Sequence, residues 1–237
     1  RAFYNCTSIF SITIPNSATS IGEYAFCGCS SIFTITIPNS VTSIGLGAVE
    51  YIPNIVYHGT AEGAPWGAQY HNAYVEGWLL YSDASKNHIL TCSYRAYGEI
   101  EIPNSVTTIE DYAFAGCNDI TSVNIPNSVT LLGESSFSGC RSLTKINVAL
   151  ENQNYSDIDG VLFDKTQNTL IQYPCGRHGT YTVPSSVKYI GEGAFEYCIN
   201  LTSITIPNSV IEIKDYAFYE CSNLNSITIP NSTISIG

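Results

Sequence analysis

The 237-residue chain has no methionine, two tryptophans, four histidines and few charges, since only 12% of its residues are Asp, Glu, Lys or Arg. Basic residues are the scarcest, nine against 20 acidic ones, for a formal net charge of −11. Such a field opposes approach to a phosphate backbone or an anionic lipid surface, so nucleic acid and bare membrane are not expected partners. No apolar run approaches the ~18–20 residues that cross a bilayer as a helix, and direct membrane insertion is not expected either. The histidines His58, His71, His88 and His178 are dispersed and form no H-E-x-x-H or triad-like signature. No glycine-rich phosphate loop precedes a helical pattern. The expectation is therefore no catalytic residue, no metal and no cofactor. Asp157 and Asp159 are close, but they lie in a segment that repeat geometry explains, which disfavours a carbohydrate-active enzyme.

What the chain has is a period. Pro15 to Pro38, Pro103 to Pro126, Pro184 to Pro207 and Pro207 to Pro230 are each 23 residues apart. An A-F-x-x-C element keeps the same period: Phe3 with Cys6, Phe26 with Cys29, Phe114 with Cys117, Phe137 with Cys140, Phe195 with Cys198 and Phe218 with Cys221. Within a unit, I-T-I-P reads as a very short strand ended by proline, which cannot donate to a ladder. A second short extended piece follows, such as Val41 to Ile44. The Ala, Phe and Cys of the next element are spaced as one helical face, predicting a helix of one to two turns. No single unit can close a core, so equivalent Ile, Val, Phe and Cys must stack in a column. The expectation is a right-handed α/β solenoid over residues 1–237, with about ten coils and a length of roughly 50 Å at the ~4.8 Å strand spacing. Both ends read as lying within repeats.

The period breaks between Pro38 and Pro103 and between Pro126 and Pro184, giving irregular units at about 46–101 and 149–183. Each is expected to hold a β-hairpin, Gly77 to Leu90 and Gly160 to Ile171, with polar tips Asp83 to Asn87 and Asp164 to Asn168. The stretch His58 to Ala68 has no counterpart in regular units. It is either a recognition loop, with His58, Trp66, Tyr70, His71 and Tyr74, or a local bend filled by Trp66.

Six cysteines sit at the ladder position, and Cys27, Cys92 and Cys175 lie outside it, the last two at matching places in the irregular units. Buried free thiols are the expected state, although successive coils are close enough for a bridge. Glu23, Asp111, Glu134, Glu192 and Asp215 recur just before the expected helices, where carboxylates would cap N–H groups. Stacked, they also form an acidic stripe open to a basic partner or a cation. Tyr24, Tyr112, Tyr189 and Tyr216 offer rigid amphipathic contact area.

The pattern I-P-x-S-V-x-x-I-G-x-x-A-F-x-x-C closely resembles the BspA-like leucine-rich repeats, a bacterial surface subfamily also abundant in some parasitic protists. Ile102, Pro103, Ser105, Val106, Ala113, Phe114 and Cys117 carry it, as do Ile206, Pro207, Ser209, Val210, Ala217, Phe218 and Cys221. Asn154 to Phe163 is similar to that family's longer variant repeat. The resemblance implies a leucine-rich repeat solenoid that is secreted or displayed at a cell surface. It implies no chemistry, and adhesion-like binding of host or bacterial proteins. Two other readings stand beside it: a structural spacer for a further domain, and a glycan-binding or carbohydrate-active module.

Overall fold

A computed structural model describes residues 1–59, 70–71 and 73–237. These residues form two compact units, Arg1–Ala84 and Ser85–Gly237. In the first, Thr34–Pro38 and Asn54–His58 run parallel in continuous register, from Thr34 opposite Asn54 to Pro38 opposite His58. Ser20–Ile21 and Ser43–Ile44 pair the same way one proline turn later, residues 23 apart facing each other. In the second unit, Tyr97–Glu101, Asp119–Ile125 and Lys145–Val148 lie side by side and parallel. Gly179–Thr182 pairs with Leu201–Thr205. The short second strands follow suit, with Thr108 opposite Leu131, Tyr189 opposite Glu212, and Glu212 opposite Ser235. Between the two strand series, each proline carbonyl accepts from the amide three residues on, as in Val41 to Pro38 (3.1 Å), Val106 to Pro103 (3.0 Å) and Val210 to Pro207 (3.1 Å). The proline thus ends one strand and closes the turn into the next.

The expected helices are not formed. Among the described residues there is no helix, and the fold is all-β, its right-handed coils numbering about nine, not an α/β solenoid of about ten. The reason is backbone handedness. The A-F-x-x-C turns from Phe26 onward carry two residues at positive φ, as in Tyr24 (51°) and Gly28 (74°), Tyr112 (56°) and Gly116 (70°), Ser135 (49°) and Gly139 (68°), and Gly193 (59°) and Tyr197 (57°). A left-handed residue cannot continue a right-handed helix. The amides that a helix would aim back four residues go instead to the neighbouring coil. Tyr112, Phe114 and Gly116 donate to the carbonyls of Glu134, Ser136 and Ser138 at 2.8–3.0 Å, and Tyr24, Phe26 and Gly28 donate likewise to Leu46, Ala48 and Glu50. Ala48, Val49 and Ile52 therefore keep the turn in the first irregular stretch without the Phe or the Cys.

Stacking follows from these bonds. Phe114 lies 5.1 Å from Phe137 by ring centroid, Phe195 lies 5.0 Å from Phe218, and Phe3 lies 5.3 Å from Phe26. Where the second irregular unit lacks the A-F-x-x-C phenylalanine, Tyr173 takes the place and stacks on Phe195 at 5.1 Å. Phe26, Phe114, Phe137 and Phe195 are buried with Cys29, Cys117, Cys140 and Cys198. Phe3 is exposed, and Cys6, Phe218 and Cys221 are half-buried. Free thiols are the rule, with one exception: Cys175 and Cys198, 23 residues apart, form a disulfide, while the other seven cysteines are free. The expectation of free thiols throughout is corrected there, where a residue outside the ladder meets one inside it.

The second irregular unit contains the expected hairpin, Val161–Asp164 against Thr169–Gln172, and Tyr155–Ile158 adds a third antiparallel strand. Its return is held by Asp164, whose carboxylate accepts from the Thr169 amide at 2.6 Å. Asn152 anchors the entry. Fully buried, it donates to the carbonyls of Pro126 (2.8 Å) and Val129 (3.0 Å) and accepts from the amides of Asn154 and Tyr155 (2.9 Å each). In the first unit Leu79–Tyr81 pairs antiparallel with Tyr74–Glu76 across Gly77 and Trp78. His88–Cys92, the second strand of the other expected hairpin, also forms, within the second unit.

Phe195 is stacked between Tyr173 and Phe218 and touches Tyr181. Phe195→Ala is expected to cost about 3–5 kcal/mol in chemical denaturation, and the half-buried Phe218→Ala less than half as much. Equal losses would contradict a column whose stability comes from two-sided stacking.

Candidate functional site

The tyrosines divide by position. Tyr24, Tyr112 and Tyr216 occupy the left-handed tips of their turns, and Tyr112 and Tyr216 are exposed. Tyr189 does not belong with them: it lies in the strand Tyr189–Ile190, and Gly193 takes the tip of that coil. His58 ends the strand Asn54–His58, next to Tyr70 and His71, which pair with Val56 and Tyr57. Tyr74 is exposed at the start of the antiparallel pair. Trp66 falls outside the described residues. The structure thus places His58, Tyr70 and His71 in one small sheet and Tyr74 in another strand pair.

The second unit holds a feature that the sequence reading missed. Its irregular coil crosses behind the turns through Tyr173 to Gly176, the Gly176 amide donating to Leu143 at 2.8 Å, and builds no outer turn of its own. The turns on either side, 133–140 and 191–198, consequently face each other. A Cβ on Gly193 would stand 2.2 Å from Ser135 Oγ and would displace that hydroxyl, and the φ of 59° also favours glycine here. Beside the junction is a groove of about 370 Å³ lined by Tyr112, Asn118, Arg141, Glu196, Tyr197 and small residues of the turns. Tyr197 continues outward by edge contact with Tyr219 at 5.5 Å, and Tyr219 meets Tyr216 edge-on at 5.9 Å. An aromatic ridge of four tyrosines with one guanidinium and one carboxylate results, and tyrosine and arginine are among the residue types that carry most of the energy in protein interfaces.

The signal that would have located this junction is the missing turn. Between Cys140 and Phe195 the sequence has no A-F-x-x-C element, while Gly193 stands where two other turns have Tyr112 and Tyr216.

The acidic stripe has no helices to cap, so that role is corrected. Asp111 instead accepts the amide of Glu134 in the next coil at 2.8 Å. Across the junction Glu134 and Glu192 line one recess, and the Glu192 carboxyl is raised above its ordinary value, first by desolvation and then by the Glu134 charge. Asp157 accepts from the amides of Val148 (2.9 Å) and Gly160 (3.0 Å), and Asp159 pairs with Arg177 at 3.2 Å. Both carboxylates are thus engaged in holding the variant repeat together. Among the described residues no group of three or more His, Cys, Asp or Glu is placed to hold a metal, and no helix is long and apolar enough to cross a membrane.

A carboxyl whose folded-state pKa is raised makes a contribution to stability that is complete below about 4.5 and is lost as pH rises through the raised value. Glu192→Gln is accordingly expected to raise Tm at pH 7 and to have no such effect at pH 3.5. A Tm gain of equal size at both pH values would rule out the carboxyl pair as its source.

In comparisons with known proteins, a leucine-rich repeat protein from Eubacterium ventriosum is 30% identical over 92% of this chain and 53% of its own, with a TM-score of 0.59. The pneumococcal vaccine antigen PcpA is 19% identical over 91% of this chain and 51% of its own, with a TM-score of 0.52, a likeness of fold. The chain spans about half the length of these two structures. No curated protein matches it. The model of the BspA type leucine rich repeat region matches residues 1–59, 91–178 and 173–237 in six copies, and members of that family are typically non-catalytic binding scaffolds. With its period, proline turns and stacked A-F-x-x-C turns all accounted for, the chain belongs to the BspA-type leucine-rich repeat family.

Proposed function

We propose that this chain is a non-catalytic, secreted or surface-displayed protein that binds a protein partner in an adhesion-like manner through the tyrosine ridge of its second unit. The observation that carries this reading is the run Tyr112, Tyr197, Tyr219 and Tyr216 beside the Arg141 and Glu196 groove. Tyrosine brings large contact area with few rotatable bonds, and exposed edge-on rings are ready to bury more surface on association. Family membership supports display outside the cell, and the Cys175–Cys198 disulfide fits an oxidising compartment.

The test is binding of the purified chain to a panel of host matrix proteins, bacterial surface proteins and glycans, with Tyr197→Ser/Tyr219→Ser as the paired variant. The expected result is capture of a protein ligand, weakened about 30-fold or more in the variant, the scale of an interface hot spot of ~2 kcal/mol. Binding that survives the variant would move the site off this ridge. Failure across the panel would favour the spacer reading.

A further inference from the structure

The ladder cysteines follow a rule that two of them break. Cys29, Cys140 and Cys221 each donate to the phenylalanine carbonyl of the preceding coil, Phe3, Phe114 and Phe195, at 3.0 Å in all three cases. Cys117 and Cys198 have no such acceptor, because an irregular coil precedes each. The place of the phenylalanine backbone is held there by Cys92 and Tyr173, shown by equivalent amide bonds from Cys92 to Ala113 (2.6 Å) and from Tyr173 to Ala194 (2.8 Å). This register also corrects the sequence reading that matched Cys92 with Cys175, which sits two residues further along. The Cys117 and Cys198 sulfurs lie 4.0 and 3.8 Å from the replacement carbonyls, too far for a bond as good as their counterparts make.

In both places a second sulfur stands where the carbonyl bond was lost. Cys198 is joined to Cys175. The sulfurs of Cys117 and Cys92 converge on one carbonyl, that of Ser93, at 3.3 and 3.7 Å. Cys92 and Cys117 are buried. Cys140, the ladder neighbour on the other side, keeps its 3.0 Å bond to Phe114 and has no equivalent reason to turn toward Cys117.

We propose that Cys92 and Cys117 are a second disulfide site, joining an irregular coil to the regular coil after it as Cys175–Cys198 does. With a small disulfide such as oxidised glutathione as oxidant, one cysteine thiolate attacks a glutathione sulfur, forms a mixed disulfide and releases one glutathione thiol. The second cysteine then attacks the protein sulfur of that mixed disulfide and releases the other glutathione. Two protein thiols lose two electrons and two protons, and one glutathione disulfide becomes two thiols. Because both sulfurs are buried in the folded chain, the exchange takes place during folding, before the coils close over them.

The reduced, denatured chain is refolded in a mixture of reduced and oxidised glutathione, quenched with acid, denatured again and alkylated with N-ethylmaleimide for intact mass and an unreduced peptide map. With four of the nine cysteines in two bonds, five should alkylate, and the map should show a peptide linking Cys92 to Cys117. In Cys92→Ser, Cys117 should become alkylated while the Cys175–Cys198 peptide persists. If that variant does not fold, the wild-type map alone decides. Seven alkylated cysteines with Cys175–Cys198 as the one linkage would overturn the proposal. So would a Cys117–Cys140 linkage, or glutathione retained on either cysteine.

Discussion

The hydrogen bond from a turn amide of one coil to a carbonyl of the next is the constraint on which everything else in this molecule rests. It fixes the distance between coils, and that distance suits aromatic rings placed one per coil, as the 5.0–5.3 Å stacks show. It also fixes the residue period, because a turn amide finds its acceptor only if the intervening chain returns to the same place. The proline turns, the short parallel strands and the cysteine-to-carbonyl bonds are each positioned by that return. None would be stable alone, since a two-residue strand or an isolated turn has too few contacts to offset its ordering entropy.

The same constraint explains what could be read from the sequence. The period, the proline-ended strands, the stacked phenylalanines and the hairpin at Val161–Asp164 are legible because they depend on side-chain type at regular spacing. The turns were misread as helices because Ala25, Phe26 and Cys29 fall on one face under a helical spacing as readily as under a turn with two left-handed residues. Glycine at positions 28, 116 and 139 marked the difference, but Tyr197 and Glu220 occupy the same place without marking it. The role of Asn152 could not be read either. Its four partners are backbone groups, two of them in the previous coil, and nothing in their side chains advertises the need.

The candidate site was half legible. Of the four tyrosines expected at the surface, Tyr112 and Tyr216 are exposed, but the grouping of the ridge depends on a coil that skips its outer turn, a property of the path and not of any residue. That omission brings Glu134 against Glu192 and Gly193 against Ser135, and it sets Tyr197 beside the groove. An irregular repeat thus does what a regular one cannot: it interrupts a uniform surface at one place and leaves a recess with its own chemistry.

The tips of the turns carry a further implication. Tyr24, Tyr51, Tyr112, Tyr197 and Tyr216 all hold positive φ, a conformation that a bulky residue adopts at a cost and glycine adopts freely. Gly28, Gly47, Gly116, Gly139 and Gly193 occupy equivalent places in other turns, so the relaxed alternative already exists within the chain. Five tyrosines thus stand where glycine would serve the backbone better, so each of these turns carries its aromatic ring at a local cost in folding stability.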